Sequence, residues 1–164
     1  MVKAEQLGDL PPELRELVAA AQAARARAYA PYSSFFVGAA VQSVDGRIFT
    51  GANVENASYG LAICAERSAV IAAVMAGAKA LRAAAVCSDL SPPAAPCGMC
   101  RQTLTEFASD CEIVLCGPAP AGEGQQGEVV RVKLSELLPR AFSPASLHAF
   151  AQQQRARGGD GSNG

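Results

Sequence analysis

Two short stretches hold the residues best suited to chemistry. Leu61-Ala62-Ile63-Cys64-Ala65-Glu66-Arg67-Ser68 offers one thiol, with a carboxylic acid two residues further on. Pro96-Cys97-Gly98-Met99-Cys100-Arg101-Gln102 offers two more thiols, spaced i, i+3 so that at a helix start they share one face. Three thiolates can hold a zinc ion and leave its fourth position open. An open position marks a reacting metal, where a closed four-ligand site marks a structural one. Glu66 stands where it can move protons to and from a water at that position. A Cys-x-x-Cys pair alone is equally a redox pair or two packed thiols. With Cys64-Ala65-Glu66 ahead of it and Pro96 directly before it, the pattern reads as a zinc hydrolase.

Zinc held by three thiolates carries net negative charge and is a poorer Lewis acid than zinc held by neutral imidazoles. The elements around it must restore electrophilicity. Cys64 and Cys97 both stand at expected helix starts, whose N-termini aim partial positive charge at a thiolate. Arg67, three residues after Cys64, adds a full positive charge.

Those elements follow from pattern. Leu14, Leu17, Val18 and Ala21 share one face of a helix opened by Pro11-Pro12-Glu13, expected to run to about Tyr29 and stop before Pro31. Pro31-Tyr32-Ser33-Ser34 reads as a turn. Phe36 to Ser43 and Arg47 to about Ala52 read as strands joined at Asp45-Gly46, a hairpin signal. Asn53 to Gly60 is a loop rich in hydrogen-bonding side chains. The Cys64 helix should end around Gly77. Leu81 to Ser88 is a strand, residues 91–96 a loop, Cys97 to Phe107 a helix, and Cys111 to Cys116 a strand. Gly117 to Gly127 reads as a surface loop and Glu128 to Lys133 as a last strand. Ser135 to Leu138 is helical, as is the stretch from Ser143, with Ser143 as N-cap and Pro144 at the first position. Alternating helices and apolar strands predict an α/β fold, a three-layer α/β/α sandwich around a mixed sheet of about five strands. Residues 1–150 read as a single domain and 151–164, Gly-rich and polar from Arg155, as a disordered tail.

The chain has 164 residues, half of them apolar, and a formal net charge of −1. Its mean hydropathy is +0.15 and its pI about 5.8. No basic footprint for nucleic acid is present, and no apolar run of about 18 residues for a membrane span. With no secretory leader visible, the expected setting is the cytoplasm, where thiols stay reduced. The six cysteines are then ligands or core residues. Cys87, Cys111 and Cys116 lie in apolar strands and read as core; His148 reads as an exposed helix residue and no ligand.

Five blocks together resemble the small homotetrameric cytidine deaminases. They are Pro31-Tyr32-Ser33-Ser34-Phe35 with Val37-Gly38-Ala39-Ala40; Gly51 to Tyr59; Cys64-Ala65-Glu66-Arg67; Pro96 to Gln102; and Glu136-Leu137-Leu138-Pro139 with Phe142. They span roughly residues 29–147. Phe36 departs from a Pro usual in the family, and Ala52 from a frequent Cys. The resemblance implies hydrolysis of cytidine and 2′-deoxycytidine to uridine and 2′-deoxyuridine with release of ammonia, a pyrimidine-salvage reaction. It implies one Zn²⁺ per chain on Cys64, Cys97 and Cys100, with Glu66 moving protons between water, N3 of the base and the departing amino group. It implies further that Phe35 packs on the pyrimidine, that the Ala65 N–H and Ala95 carbonyl meet the base, and that Asn53 and Glu55 grip the ribose 3′-hydroxyl. Residues like Ala57 and Tyr59 reach a neighbouring subunit's ribose site in the family, and one like Phe142 packs toward a neighbour's base.

Two other readings compete. A related deaminase of another aminopyrimidine nucleoside, such as a nucleoside antibiotic, fits the zinc motif but not the Asn53-Val54-Glu55-Asn56 block, which favours a free ribose. A non-catalytic zinc module leaves Glu66 and the open ligand position without a purpose. The helix from Ile63 to Ala76 is apolar nearly all round and so is expected to be buried, either by its own sheet or by other subunits. The resemblance favours subunits, in a homotetramer.

Overall fold

The structure, a computed structural model, describes residues 4–108, 110–118 and 128–158. Its elements are β1 (Ala4–Gln6), α1 (Pro12–Arg25), β2 (Gly38–Ser43), β3 (Ile48–Ala52), α2 (Ala65–Met75), β4 (Leu81–Cys87), α3 (Gly98–Phe107), β5 (Glu112–Cys116), β6 (Glu128–Lys133), α4 (Leu134–Leu137) and α5 (Pro144–Gly158). The strands form one sheet in the order β1-β6-β5-β4-β2-β3. β4 and β5 pair in parallel, and every other neighbouring pair is antiparallel. Parallel strands need a long crossover, and α3 lies in it.

Period-two alternation builds the layers. Ala84 and Val86 of β4 face one way, into a core with Ala39, Val41, Ile113, Leu115 and the α2 residues Ala65, Ala69, Val70 and Ala73. Ala83 and Ala85 face the other way, into a core with Ala40, Val114 and the α1 residues Leu14, Leu17, Val18 and Ala21. Each large side chain so buried stabilises the fold by about 1.5–3 kcal/mol. The result is the expected α/β/α sandwich.

Two glycines set how closely the helices sit. A Cβ at Gly38 of β2 would collide with the backbone of Ala21 and Arg25 in α1. One at Gly51 of β3 would collide with the Ala65 carbonyl oxygen and the Ala69 nitrogen of α2. On opposite faces of the hairpin, then, a missing side chain lets a helix lie directly on a strand.

Several boundaries differ from expectation. The sheet has six strands rather than about five, because Ala4–Gln6 pairs with Glu128–Val130 along the β6 edge. Three residues with no apolar alternation become a strand by pairing alone. α1 stops at Arg25 rather than near Tyr29, whose N–H and carbonyl are taken instead by Asn53 and Glu55, at 2.9 and 2.8 Å. β2 opens at Gly38 rather than Phe36. Residues 151–158, expected within a disordered tail, continue α5; the run Ala151-Gln152-Gln153-Gln154-Arg155-Ala156-Arg157 holds good helix formers and no breaker. Residues 119–127 of the expected loop and 159–164 of the tail lie outside the described residues.

Candidate active site

α2 and α3 begin in the same way. Cys64 is the N-cap of α2 and Cys97 the N-cap of α3, each extended, with φ −72° and −65°. Their carbonyls accept the first helical bonds, from Ser68 N at 3.1 Å and Arg101 N at 3.0 Å. Neither sulfur caps a backbone N–H, so both stay free for another partner. Cys100, in the first turn of α3, is buried beside them. Cys97 and Cys100 Sγ lie 3.5 Å apart and Cys64 and Cys97 Sγ 3.9 Å apart. All three sulfurs lie within 4.8 Å of one another.

This donor set fits zinc. Tetrahedral thiolate coordination at about 2.3 Å per bond places sulfurs about 3.8 Å apart, close to both separations. Thiolates are ligands zinc prefers, and two helix N-termini converge on them. Arg67 adds to this: Nη2 donates to the Ala62 carbonyl at 3.0 Å and lies 3.9 Å from Cys64 Sγ. Its buried Nε has no partner among the described residues, an N–H left over beside an anionic centre. The Cys64 thiol is pulled down to about 5, first by its hydrogen bond with Cys100 and then by Arg67. Cys100 moves the opposite way, pushed up by that shared hydrogen bond and by burial.

Glu66, the second residue of α2, is 5% exposed. Burial raises its carboxyl above the usual carboxylate range, and the charge on Cys64 adds to the rise. It lines a cavity of about 210 Å³ with Cys64, Cys97, Ala65, Phe35 and Asn53. Ala94 and Ala95 of the loop before α3 form another part of the wall, and Val37, Val86 and Ser88 complete it. The cavity sits beyond the carboxyl end of β4, where ligands of open α/β sheets are commonly found.

Not every expected site residue meets there. Glu55 lines a separate cavity of about 330 Å³ with Tyr32, Ser33, Asn56, Tyr59 and Ala62. Its Oε2 accepts from the N–H groups of Tyr32 and Ser33 at 2.9 and 3.2 Å, and its Oε1 from the Ser33 hydroxyl. These bonds hold its carboxyl below the usual range. Asn53 is half turned to the chain as well: Oδ1 accepts from Val37 N at 2.8 Å and Nδ2 donates to the Phe35 carbonyl at 2.9 Å. Tyr59 and Phe142 are 79% and 62% exposed, Ala57 is also exposed, and none of the three lines the metal-ligand cavity. Sequence reasoning did not single out Val37, Val86, Ser88 or Ala94 as cavity residues; all are apolar or small, and although Val37 falls within a matching block, its side chain marks no chemistry. Cys87, Cys111 and Cys116 are buried and His148 is exposed, as expected.

Residues 12–116 match the family model described as the cytidine and deoxycytidylate deaminase zinc-binding region. The chain is 38% identical over 141 residues to a cytidine deaminase of Sporosarcina psychrophila, covering 86% of this chain and 99% of the relative. It is 42% identical over 132 residues to a cytidine deaminase of Halalkalibacterium halodurans, covering 80% and 96%. The crystal structure of a cytidine deaminase from Burkholderia pseudomallei superposes with a TM-score of 0.69 at 46% identity, covering 77% of this chain and 97% of that one.

Proposed function

The chain belongs to the cytidine and deoxycytidylate deaminase family, and from that premise we propose that its cavity hydrolyses cytidine to uridine, and 2′-deoxycytidine to 2′-deoxyuridine, releasing ammonia for pyrimidine salvage. One observation carries the reading: three thiols converge, and two of them, Cys64 and Cys97, share one cavity with a buried carboxylic acid, an aromatic ring and an amide.

Cys64, Cys97 and Cys100 would hold one zinc, which when bound supplies the Lewis acid that makes water nucleophilic near neutral pH. The remaining work falls to the chain. Glu66 faces the same space: it takes one proton from water and delivers it to N3 of the base as the water oxygen bonds C4. It then takes the proton of the new C4 hydroxyl and gives it to the amino group, which leaves as ammonia when the C4–N bond breaks. Ala65 is the first residue of α2, so its N–H has no helical partner and is available to the base oxygen. The Ala95 carbonyl accepts from the base amino group. Phe35 packs on the pyrimidine face. Asn53 keeps one amide hydrogen and one oxygen lone pair beyond its two backbone bonds. These serve the ribose 3′-hydroxyl, with Glu55, which lines the second cavity, as the other grip.

The working unit is a homotetramer whose subunits complete one another's sites with Ala57, Tyr59 and Phe142. The exposure of all three in the single chain supports this. So do the exposed large apolar side chains Leu61, Ile71 and Met75, which are 67%, 54% and 82% exposed. Six free thiols, three of them metal ligands on this reading, suit a reducing cytoplasm. Among the described residues no helix is long and apolar enough to cross a membrane.

Ammonia release by the zinc-loaded protein tests the function. Cytidine and 2′-deoxycytidine are expected to turn over, while cytosine and 3′-deoxycytidine do so poorly, because a site built to bond a hydroxyl rejects analogues lacking it. Equal efficiency on all four overturns the ribose grip, and no release from any overturns the deaminase reading.

A further inference from the structure

On the deaminase reading of the cavity, we propose that Arg25 is a positioning residue that ties two walls of the cavity together from outside it. Arg25 lies in the last turn of α1, and no residue of α1 lines the cavity. Its Nε donates to the Phe36 carbonyl at 3.1 Å, and its Nη2 pairs with Asp89 Oδ1. Phe36 lies between Phe35 and Val37, both cavity residues. Asp89 follows Ser88, also a cavity residue, and opens the segment that brings Ala94 and Ala95 to the wall. One guanidinium joins the segment carrying Phe35 to the segment carrying Ala95.

Residues 35–37 need such support because they lie before the sheet ladder, which β2 enters at Gly38. Side chains hold their backbone instead. Asn53 takes the Phe35 carbonyl and the Val37 N–H, and Arg25 takes the Phe36 carbonyl between them. Without Arg25 the segment keeps both Asn53 bonds but loses its link to the Asp89 loop. The helix end behind Arg25 is itself fixed, since the Arg25 backbone lies too close to Gly38 to admit a Cβ there. A planar guanidinium with five donors serves a carbonyl and a carboxylate at once, whereas the lysine ammonium is a point charge. The Arg25 and Asp89 side chains are 34% and 41% exposed, so global stability depends little on the pair. The effect is on the cavity's shape and therefore on nucleoside binding.

The test compares the parent with Arg25→Ala, Arg25→Lys, Asp89→Asn and the double variant Arg25→Ala/Asp89→Asn, all loaded with zinc. Arg25→Ala should raise the KM for cytidine about three- to tenfold and change kcat by less than about twofold, with parental zinc content. Arg25→Lys should fall between parent and Ala, and the double variant should be no worse than Arg25→Ala, because the two residues act as one unit. Cytidine is uncharged, so parental KM should rise with added salt through the ion pair alone, and that rise should vanish in Arg25→Ala. Hydrogen exchange reads the tie without turnover: protection in residues 35–37 and 89–95 should fall together in Arg25→Ala. A parental KM in Arg25→Ala, additive single variants, zinc loss with a fall in Tm, or unchanged exchange in both segments each overturns the proposal. A zinc-loaded parent that releases no ammonia overturns the deaminase reading instead, and the exchange result then judges the tie by itself.

Discussion

α2 presents two apolar faces that the chain treats differently. The inner face is small: Ala65, Ala69 and Ala73, with Val70, lie buried against the sheet, and Gly51 lets the backbones touch. The outer face is large: Ile71, Val74 and Met75 are 54%, 41% and 82% exposed. Hydropathy does not separate these faces; side-chain size and distance do. The small face holds the helix start against β3, and with it Cys64 and Glu66. The large face has no cover among the described residues, and on the proposed homotetramer it is the area offered to a second copy. Substitutions on the inner side should therefore damage catalysis or folding, and substitutions on the outer side should damage assembly.

The largest effect belongs at the inner end. Cys100→Ala should lose zinc, turnover and some stability, since metal binding contributes to folding; full zinc by atomic absorption with normal turnover would break the comparison. Glu66→Gln should retain zinc and fold yet lose about 10² to 10⁴ or more in kcat. A zinc-loaded Glu66→Gln protein with near-parental kcat would falsify the proton role. Gly51→Ala forces a methyl into the backbone of Ala65 and Ala69. It should cost about 1–3 kcal/mol, as overpacking does, and lower kcat because α2 carries Glu66. An unchanged Tm would show that α2 can retreat from β3. Ile71→Glu on the outer face should leave chain stability within about 0.5 kcal/mol but shift light scattering toward smaller species. Parental mass and activity in that variant would remove the outer face from the assembly.

Much of the site was legible because its signals are local. Cys97 and Cys100 share a face through helical spacing, and Cys64 and Cys97 fall at N-caps that motif and turn chemistry both mark. The hairpin at Asp45-Gly46 and the two-residue alternation of β4 are equally local. Glu55 shows where local reading ran out. The family resemblance pairs it with Asn53 at the ribose; what the residues alone did not show is that its carboxylate accepts from the Tyr32-Ser33 turn and lines a second cavity. Nothing in the residues around position 55 announces that turn.

By itself, then, the sequence determined the donor atoms, the helix starts that present them and the layers that sandwich the sheet, since residue type and period decide these within a few turns of chain. Only the tertiary structure decided the rest. β1 exists because β6 offers it an edge. Arg25 matters because the end of α1 lies beside both Phe36 and Asp89. One apolar face of α2 is core and the other is surface because Gly51 stands opposite the first and nothing in the described chain covers the second. Each of these depends on which distant segments meet, and that follows from packing the whole chain at once, not from any stretch of it.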